Sequence, residues 1–547
     1  MQRLLMAVIL LAFGAGAGAG ALAQTAGESP RRWIYLQTNL SVPDNIAKAE
    51  QLLARGEAAG YNGLVLTDSK FSRLGQMPPD YFANVQRLKA SAASHHIEII
   101  PTLFPMGWSN DLLSADPNLA EGLPVKEALF VVRGDEATLR EDPMVELKAG
   151  GFSPLRGWDW HDAPVSFDQV VNALRIDADG SNARISQKVR LTPFRQYHFS
   201  VRIKTSGFRG TPEAKFLART SEGLKTLCFH DWEIKPTQDW QTYHHVFNSQ
   251  DQTEVMVYLG AWEPKGGTAW FADAKFEEVG LLNVLRRPGA PVVVKREDGA
   301  TLTEAVDYAP IKDPRMGNVP YAGEYEIYHQ PPAIHLIKPL PEGARLRVSW
   351  YHPVTNVSGA VMICPSEPKT IELLKDQAQR VHQLFGAGSY FMAHDEIRTF
   401  NWCQACQDRH LDAGALLADN LRTCTKILRQ TAPGATIYVW SDMFDPNHNA
   451  RKNYYLVRGD LAGSWEGLAK DVVVVLWYFD KRAESMRFFS ERGNRMLIAG
   501  YYDSDPLRIK QWLKAAARSS GVMGTMYTTW EHNYNDLEAF ARAAKAQ

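Results

Sequence analysis

The sequence predicts a (β/α)8 barrel interrupted after its third strand by an all-β sandwich insertion, and three observations carry that expectation. Short apolar runs alternate with amphipathic helical stretches from about residue 33 to 104. The alternation stops between about 126 and 353, where strand-like patterning and frequent turn residues replace it, and then resumes to the C-terminus. Parallel strands buried on both faces read as near-continuous apolar runs, and helices are needed to connect them. Three runs before the break and five after it make eight, the number that closes into a barrel.

The first strand is expected at 33–38. Apolar residues at helical spacing follow from Asn45 to Arg55, with Gly60 supplying a stop. The second strand spans 63–68, a helix runs from Tyr81 to His95, and the third strand spans 97–104. Within the break, 197–204, 255–260 and 346–351 alternate as sandwich strands do. The run 346–351 is assigned to the insertion, since a ninth strand does not close the barrel cleanly. A helix over 370–385 restores the rhythm, followed by strands at 389–394, 436–440, 472–477, 495–500 and 522–527. Helices at 507–518 and 537–546 complete it. The expected organisation is a barrel built from 24–125 and 356–547, an inserted sandwich over 126–285 and a small β-rich segment over 286–355.

Composition narrows the function. Sixty Lys+Arg against 61 Asp+Glu argue against a nucleic-acid binder, and 45% hydrophobic with 22% charged residues is ordinary for a folded chain. Aromatics stand out at 11%, with 15 Trp, which fits either a heavy core or a stacking cleft. Residues 1–23 read as a secretory signal: Arg3, an apolar run from Leu4 to Phe13, and Ala21-Leu22-Ala23 as cleavage site. No later segment has the length of a membrane helix, so a periplasmic or extracellular protein is expected. Cys403-Gln-Ala-Cys406 with His410 lacks a fourth zinc ligand, and a local disulfide or packed thiols is the expected state. No metal and no cofactor is expected: there is no P-loop, no G-x-G-x-x-G after a strand and no H-E-x-x-H.

In barrels of this class chemistry sits where strands meet the following loops. Those positions hold Asp68 after strand two, His394-Asp395-Glu396 after strand four, Trp440 and Asp442 at strand five, and Trp477 at strand six. Tyr502-Asp503 and Trp530-Glu531 follow strands seven and eight. Carboxyls among aromatic rings suit a sugar-cleaving cleft, with acids to protonate the glycosidic oxygen and rings to cover apolar sugar faces. Adjacent Asp395 and Glu396 cannot easily straddle a glycosidic bond. They suit a division in which Glu396 is the general acid and Asp395 holds a substrate group that itself attacks the anomeric carbon. A salt-bridged pair, with Arg398 as partner, is the bland alternative.

At these residues the chain resembles glycoside hydrolase family 20, the exo-acting β-N-acetylhexosaminidases. The likeness covers roughly 31–110 and 368–547 as a scattered pattern. It rests on Asp395-Glu396 at strand four, Trp440 with Asp442 at strand five, Tyr501-Tyr502-Asp503 at strand seven and Trp530-Glu531 at strand eight. Leu66-Thr67-Asp68 and Pro105-Met106-Gly107 echo strands two and three. The resemblance implies an exo-acting, retaining hydrolase of a β-linked sugar, with Tyr502 bonding an acetamido group and Trp530 packing under the ring. Strand one ends Thr38-Asn39 without the family's sugar-gripping arginine, Thr102 stands where an acid is usual, and His394 replaces a glycine. The identity of the terminal sugar therefore stays open.

Residues 151–285 resemble the jelly-roll carbohydrate-binding modules of secreted glycosidases, in Gly151-Phe152, Trp158, the run 195–204 and Ala269-Trp270-Phe271. Trp158, Trp160, Trp232 and Trp262 are a candidate sugar platform or sandwich core. Two other readings remain: a glycosidase pairing Glu396 with Asp442, Asp503 or Glu531 on a sugar without an acetamide, and a non-catalytic glycan-binding protein. The expected partner in every case is an oligo- or polysaccharide.

Overall fold

The computed structural model describes residues 30–153, 155–221 and 223–545; the expected signal segment lies outside them. Eight parallel strands form a closed barrel: β1 (Arg31–Gln37), β2 (Gly63–Thr67), β3 (Glu98–Leu103), β4 (Ser389–Met392), β5 (Thr436–Trp440), β6 (Val473–Leu476), β7 (Met496–Ala499) and β8 (Val522–Tyr527). The register runs from Trp33 opposite Gly63 round to Ile34 opposite Tyr527, which closes β8 onto β1.

The near-continuous apolar strands have a simple cause. Alternate residues point to opposite faces, and both faces are covered. Trp33, Tyr35, Tyr438, Trp440, Val473 and Val475 turn inward and fill the barrel. Their neighbours Ile34, Leu36, Val439, Val474 and Leu476 pack outward against the helices. Helices Pro43–Ala59, Pro79–Ser94 and Pro368–Phe385 each begin with proline in the first turn, where its missing N–H costs nothing. The first of them stops at Gly60, which takes the left-handed conformation at φ 89°.

Between β3 and β4 the chain forms three antiparallel sheets. Two five-stranded sheets face each other over a core rich in phenylalanine (Phe199, Phe216, Phe247, Phe276), as a β-sandwich requires. The third sheet corrects the expected boundaries. Leu123–Arg133 pairs with Arg345–His352, Phe130 lying opposite Leu346, so the chain entering the insertion and the chain leaving it share one sheet. A division at 125/126 cuts through that first strand, and 286–355 is not a separate unit. The sheet has its own core around Phe130, Val348 and Trp350. Among the described residues no helix is long and apolar enough to cross a membrane.

Candidate active site

Side chains at the C-terminal ends of the barrel strands line a cavity of about 570 Å³, within the usual range of roughly 300–1,000 Å³ for small-ligand sites. Asp395, Glu396, Trp440, Trp477, Tyr502 and Trp530 all reach it. So do Tyr35 from β1 and Asp68 beyond β2.

Its aromatic wall is continuous. The ring of Trp440 sits 5.7 Å from Tyr35 and 5.8 Å from Trp530. Tyr502 meets Trp530 edge-on at 5.8 Å and stacks on Trp477 at 5.4 Å. Trp440 is only 2% exposed and holds the base of the wall, whereas Trp530 is 36% exposed and offers a face to the cavity. Rings so arranged cover the apolar face of a flat, hydroxylated ligand.

The carboxyls are set by the turn that follows β4. Glu396 adopts a left-handed conformation at φ 51°, which costs a non-glycine residue about 1–2 kcal/mol. Its N–H donates to Asp442 Oδ2 at 2.9 Å, and Asn449 Nδ2 donates to the same oxygen at 3.0 Å. From the other side the β3 loop presses against the pair. A Cβ on Gly107 would lie 1.8 Å from the Asp395 carbonyl oxygen, so only glycine fits. The Glu396 Oε2 is 2.6 Å from Arg398 Nη2. The guanidinium of Arg398 lies 5.0 Å from the Trp108 ring and 5.3 Å from that of Tyr455, which fixes its plane.

Burial, reinforced by the negative charges of Asp442 and Glu396, pushes Asp395 up to about 8. Burial likewise pushes Asp442 up to about 7, against the pull of the Glu396 N–H. Burial thus raises both carboxyls, and Asp395 is the member of the pair that faces the cavity.

Several expected residues lie elsewhere. Asp442 is fully buried behind the Glu396 backbone and does not line the cavity. His394 is fully buried, with Nε2 3.1 Å from Asn420 Oδ1. Asp503 accepts from the backbone N–H groups of Trp530 at 2.6 Å and Glu531 at 3.3 Å, so it shapes the loop that carries Trp530. The side chain of Glu531 is exposed. The separated-carboxylate reading thus finds none of its three partners on the cavity wall. Asp68 reaches the wall, yet its oxygens accept from Leu40 N, Lys70 N and Tyr81 Oη, which makes it a cap for the following turn.

Other residues enter unannounced. Glu324 and Ser358, from the returning part of the insertion, complete the cavity wall, and burial raises the carboxyl of Glu324. No spacing signal links them to barrel strand ends. Tyr35 is legible in the sequence as an inward-facing residue of strand one but not as a site residue. In the sandwich, Trp158 and Trp232 are core, at 4% and 6% exposed, while Trp160 and Trp262 stay outside, flanking Arg184. Of the two expected states of Cys403 and Cys406, a local disulfide or packed thiols, the structure has the second: all five cysteines are buried free thiols, and His410 is exposed.

No protein-family model matches the chain, and no curated protein does. Solved structures that it resembles include the rhamnosidase from Novosphingobium sp. PP1Y, at 11% identity and TM-score 0.30, covering 91% of this chain and 55% of that one. A family 16 carbohydrate-binding module matches at 19% identity and TM-score 0.19, over 24% of this chain and 99% of that one. A CBM4 structure matches at 17% identity and TM-score 0.19, over 22% and 78%. At such TM-scores the likenesses decide no activity.

Proposed function

We propose that the protein is an exported glycoside hydrolase that removes a β-linked terminal sugar from a glycan with retention, through the adjacent carboxyls Asp395 and Glu396. The observation that carries this reading is one cavity in which a carboxyl raised by burial, an ion-paired carboxylate and a belt of aromatic rings meet. A protonated acid is what a leaving alkoxide needs, and rings are what a sugar face needs.

The geometry favours Asp395 over Glu396 as proton donor, because Arg398 already sets a full positive charge 2.6 Å from Glu396. In this scheme Asp395 gives its proton to the glycosidic oxygen as the C1–O bond breaks. The carbonyl oxygen of a 2-acetamido group attacks C1 from the opposite face, while Glu396 accepts from the amide N–H. Water then opens the cyclic intermediate, and its proton returns to Asp395. Exposed Trp160 and half-buried Trp262, on either side of Arg184, are the part of the sandwich suited to hold the rest of the glycan.

Leaving-group dependence tests the roles. Loss of the acid is masked by a leaving group that departs without a proton. Asp395→Asn is therefore expected to retain activity on dinitrophenyl glycosides while losing about 10²–10⁴-fold on alkyl or oligosaccharide substrates. Glu396→Gln is expected to lose activity on both. The opposite pattern returns the acid to Glu396, and insensitivity of wild type to a thiazoline inhibitor removes the acetamide from the scheme.

A further inference from the structure

Away from the cavity, four buried side chains from three distant stretches of chain converge. Cys364 Sγ is 3.2 Å from Cys403 Sγ and 3.6 Å from Cys406 Sγ. Glu121 Oε2 is 3.4 Å from Cys403 Sγ and 3.5 Å from Cys406 Sγ. All four ligand atoms lie within 4.8 Å of one another, and none of the four residues is more than 1% exposed. The C-x-x-C pair alone is two ligands short; the fold supplies both, from 42 residues upstream of Cys406 and from beyond the far side of the insertion.

We infer that Glu121, Cys364, Cys403 and Cys406 form a structural zinc site that staples the insertion to the barrel.

The dimensions fit. Zinc bonds of about 2.3 Å to sulfur and 2.0 Å to oxygen, set tetrahedrally, separate sulfurs by about 3.8 Å and sulfur from oxygen by about 3.5 Å. The spacings from Glu121 to the Cys403 and Cys406 sulfurs already match, and Cys364 needs to part from those two sulfurs by a few tenths of an ångström. They are far outside the roughly 2.05 Å of a disulfide. Glu121 is already oriented as a ligand. Its Oε1 accepts from Trp402 N at 2.6 Å and Cys403 N at 2.9 Å, leaving Oε2 for the metal. Three soft thiolates and one carboxylate select zinc over magnesium or calcium, and four protein ligands leave no open position for catalysis.

Charge points the same way. Four acidic groups packed this closely, none more than 1% exposed, are costly to ionise without a cation among them. A metal offsets that cost, and loading releases the protons the ligands carry. Three thiolates, a carboxylate and Zn2+ leave two formal negative charges. Arg287, whose charge acts on both Cys403 and Glu121, lies beside the site and is shared with the buried carboxylate of Glu367. It is itself anchored by donating to Asn118 O and Ala120 O at 2.6 and 2.9 Å.

The position explains the use. Glu121 and Cys364 sit where the chain leaves the barrel and where it returns, joined by Glu121 N to Met362 O at 2.7 Å and Cys364 N to Leu119 O at 2.8 Å. Cys403 and Cys406 lie on the same β4 loop as Asp395, Glu396 and Arg398. One ion there ties both crossings to the segment that carries the acid pair.

The test uses the full chain, purified without chelator. Elemental analysis is expected to find about one zinc per chain, and the apoprotein to take up one Co2+ with thiolate-to-cobalt charge-transfer absorption and tetrahedral d–d bands. Cys364→Ser and Glu121→Gln are expected to weaken uptake at least 10-fold, while Cys228→Ala leaves it at one. Failure of the wild type to take up Zn2+ or Co2+ overturns the inference. So does a disulfide linking any of Cys364, Cys403 and Cys406 in the protein as purified. The wild-type spectrum decides the matter even where a ligand variant fails to fold.

Discussion

The Glu396 backbone N–H donates to Asp442 Oδ2 at 2.9 Å, and that contact fixes the left-handed turn on which the acid pair stands. Asp442 is fully buried and touches the chemistry only through its neighbours. It positions Glu396, and its negative charge helps raise Asp395.

Asp442→Asn keeps an acceptor oxygen but removes the charge, so the carboxyl of Asp395 should ionise more readily. With Asp395 as proton donor, the alkaline limb of kcat/KM, near pH 8 in the wild type, is expected to move to lower pH. Asp442→Ala strands the Glu396 N–H and should cost a further 1–3 kcal/mol or so, read from the denaturation midpoint. An unmoved limb in the Asn variant contradicts the coupling.

The raised carboxyls also set a stability profile. A group whose folded-state pKa lies above its unfolded value contributes stability that is complete below the unfolded value and lost as pH rises through the folded one. Asp395 rises from 3.8 to about 8, so wild-type stability should decline across that window. Asp395→Asn is free of this penalty. Its Tm relative to wild type is expected to climb between pH 4 and pH 8, measured by calorimetry at both ends. A constant difference would show that Asp395 is not held protonated.

Gly107→Ala tests the close approach of the two loops. Its Cβ would fall 1.8 Å from a backbone oxygen that cannot swing aside. A loss of about 3 kcal/mol, the upper end of overpacking costs, is expected together with loss of activity. An Ala variant as stable and active as wild type would show that the loops are not in contact.

The two central tryptophans should separate packing from recognition. Trp440, wedged among Tyr35, Phe391 and Trp530, should cost about 3–5 kcal/mol when cut to alanine. Trp530→Ala, at a position 36% exposed, should leave Tm nearly unchanged and raise KM. Equal losses of stability in the two variants would place Trp530 in the core.

How much of this is legible in the sequence follows from geometry. Barrel strands buried on both faces advertise themselves as apolar runs, and Val473–Leu476 or Met496–Ala499 can scarcely be anything else. Residues at the ends of such runs therefore point to the right rim. Side-chain direction there is not legible, because Glu396, Tyr502 and Asp503 take left-handed conformations that break the two-residue alternation. Hence Tyr502 faces the cavity while Asp503 turns away to the backbone of Trp530 and Glu531. Long-range pairing is hidden for another reason: Leu123–Arg133 and Arg345–His352 lie on either side of the whole sandwich, and nothing local in either strand names its partner. Glu121 and Cys364 are hidden as companions of Cys403 and Cys406 in the same way.

The most direct measurement is turnover of a panel of nitrophenyl glycosides, including the N-acetyl-β-glucosaminide and N-acetyl-β-galactosaminide, by wild type, Asp395→Asn and Glu396→Gln. The expected result is hydrolysis of at least one β-glycoside by wild type, with alkyl glycosides of the same sugar slowed at least about 10²-fold in each variant. Wild-type protein that binds glycans yet cleaves none of the panel, or variants as active as wild type on the alkyl glycosides, would contradict the assignment of the acid pair.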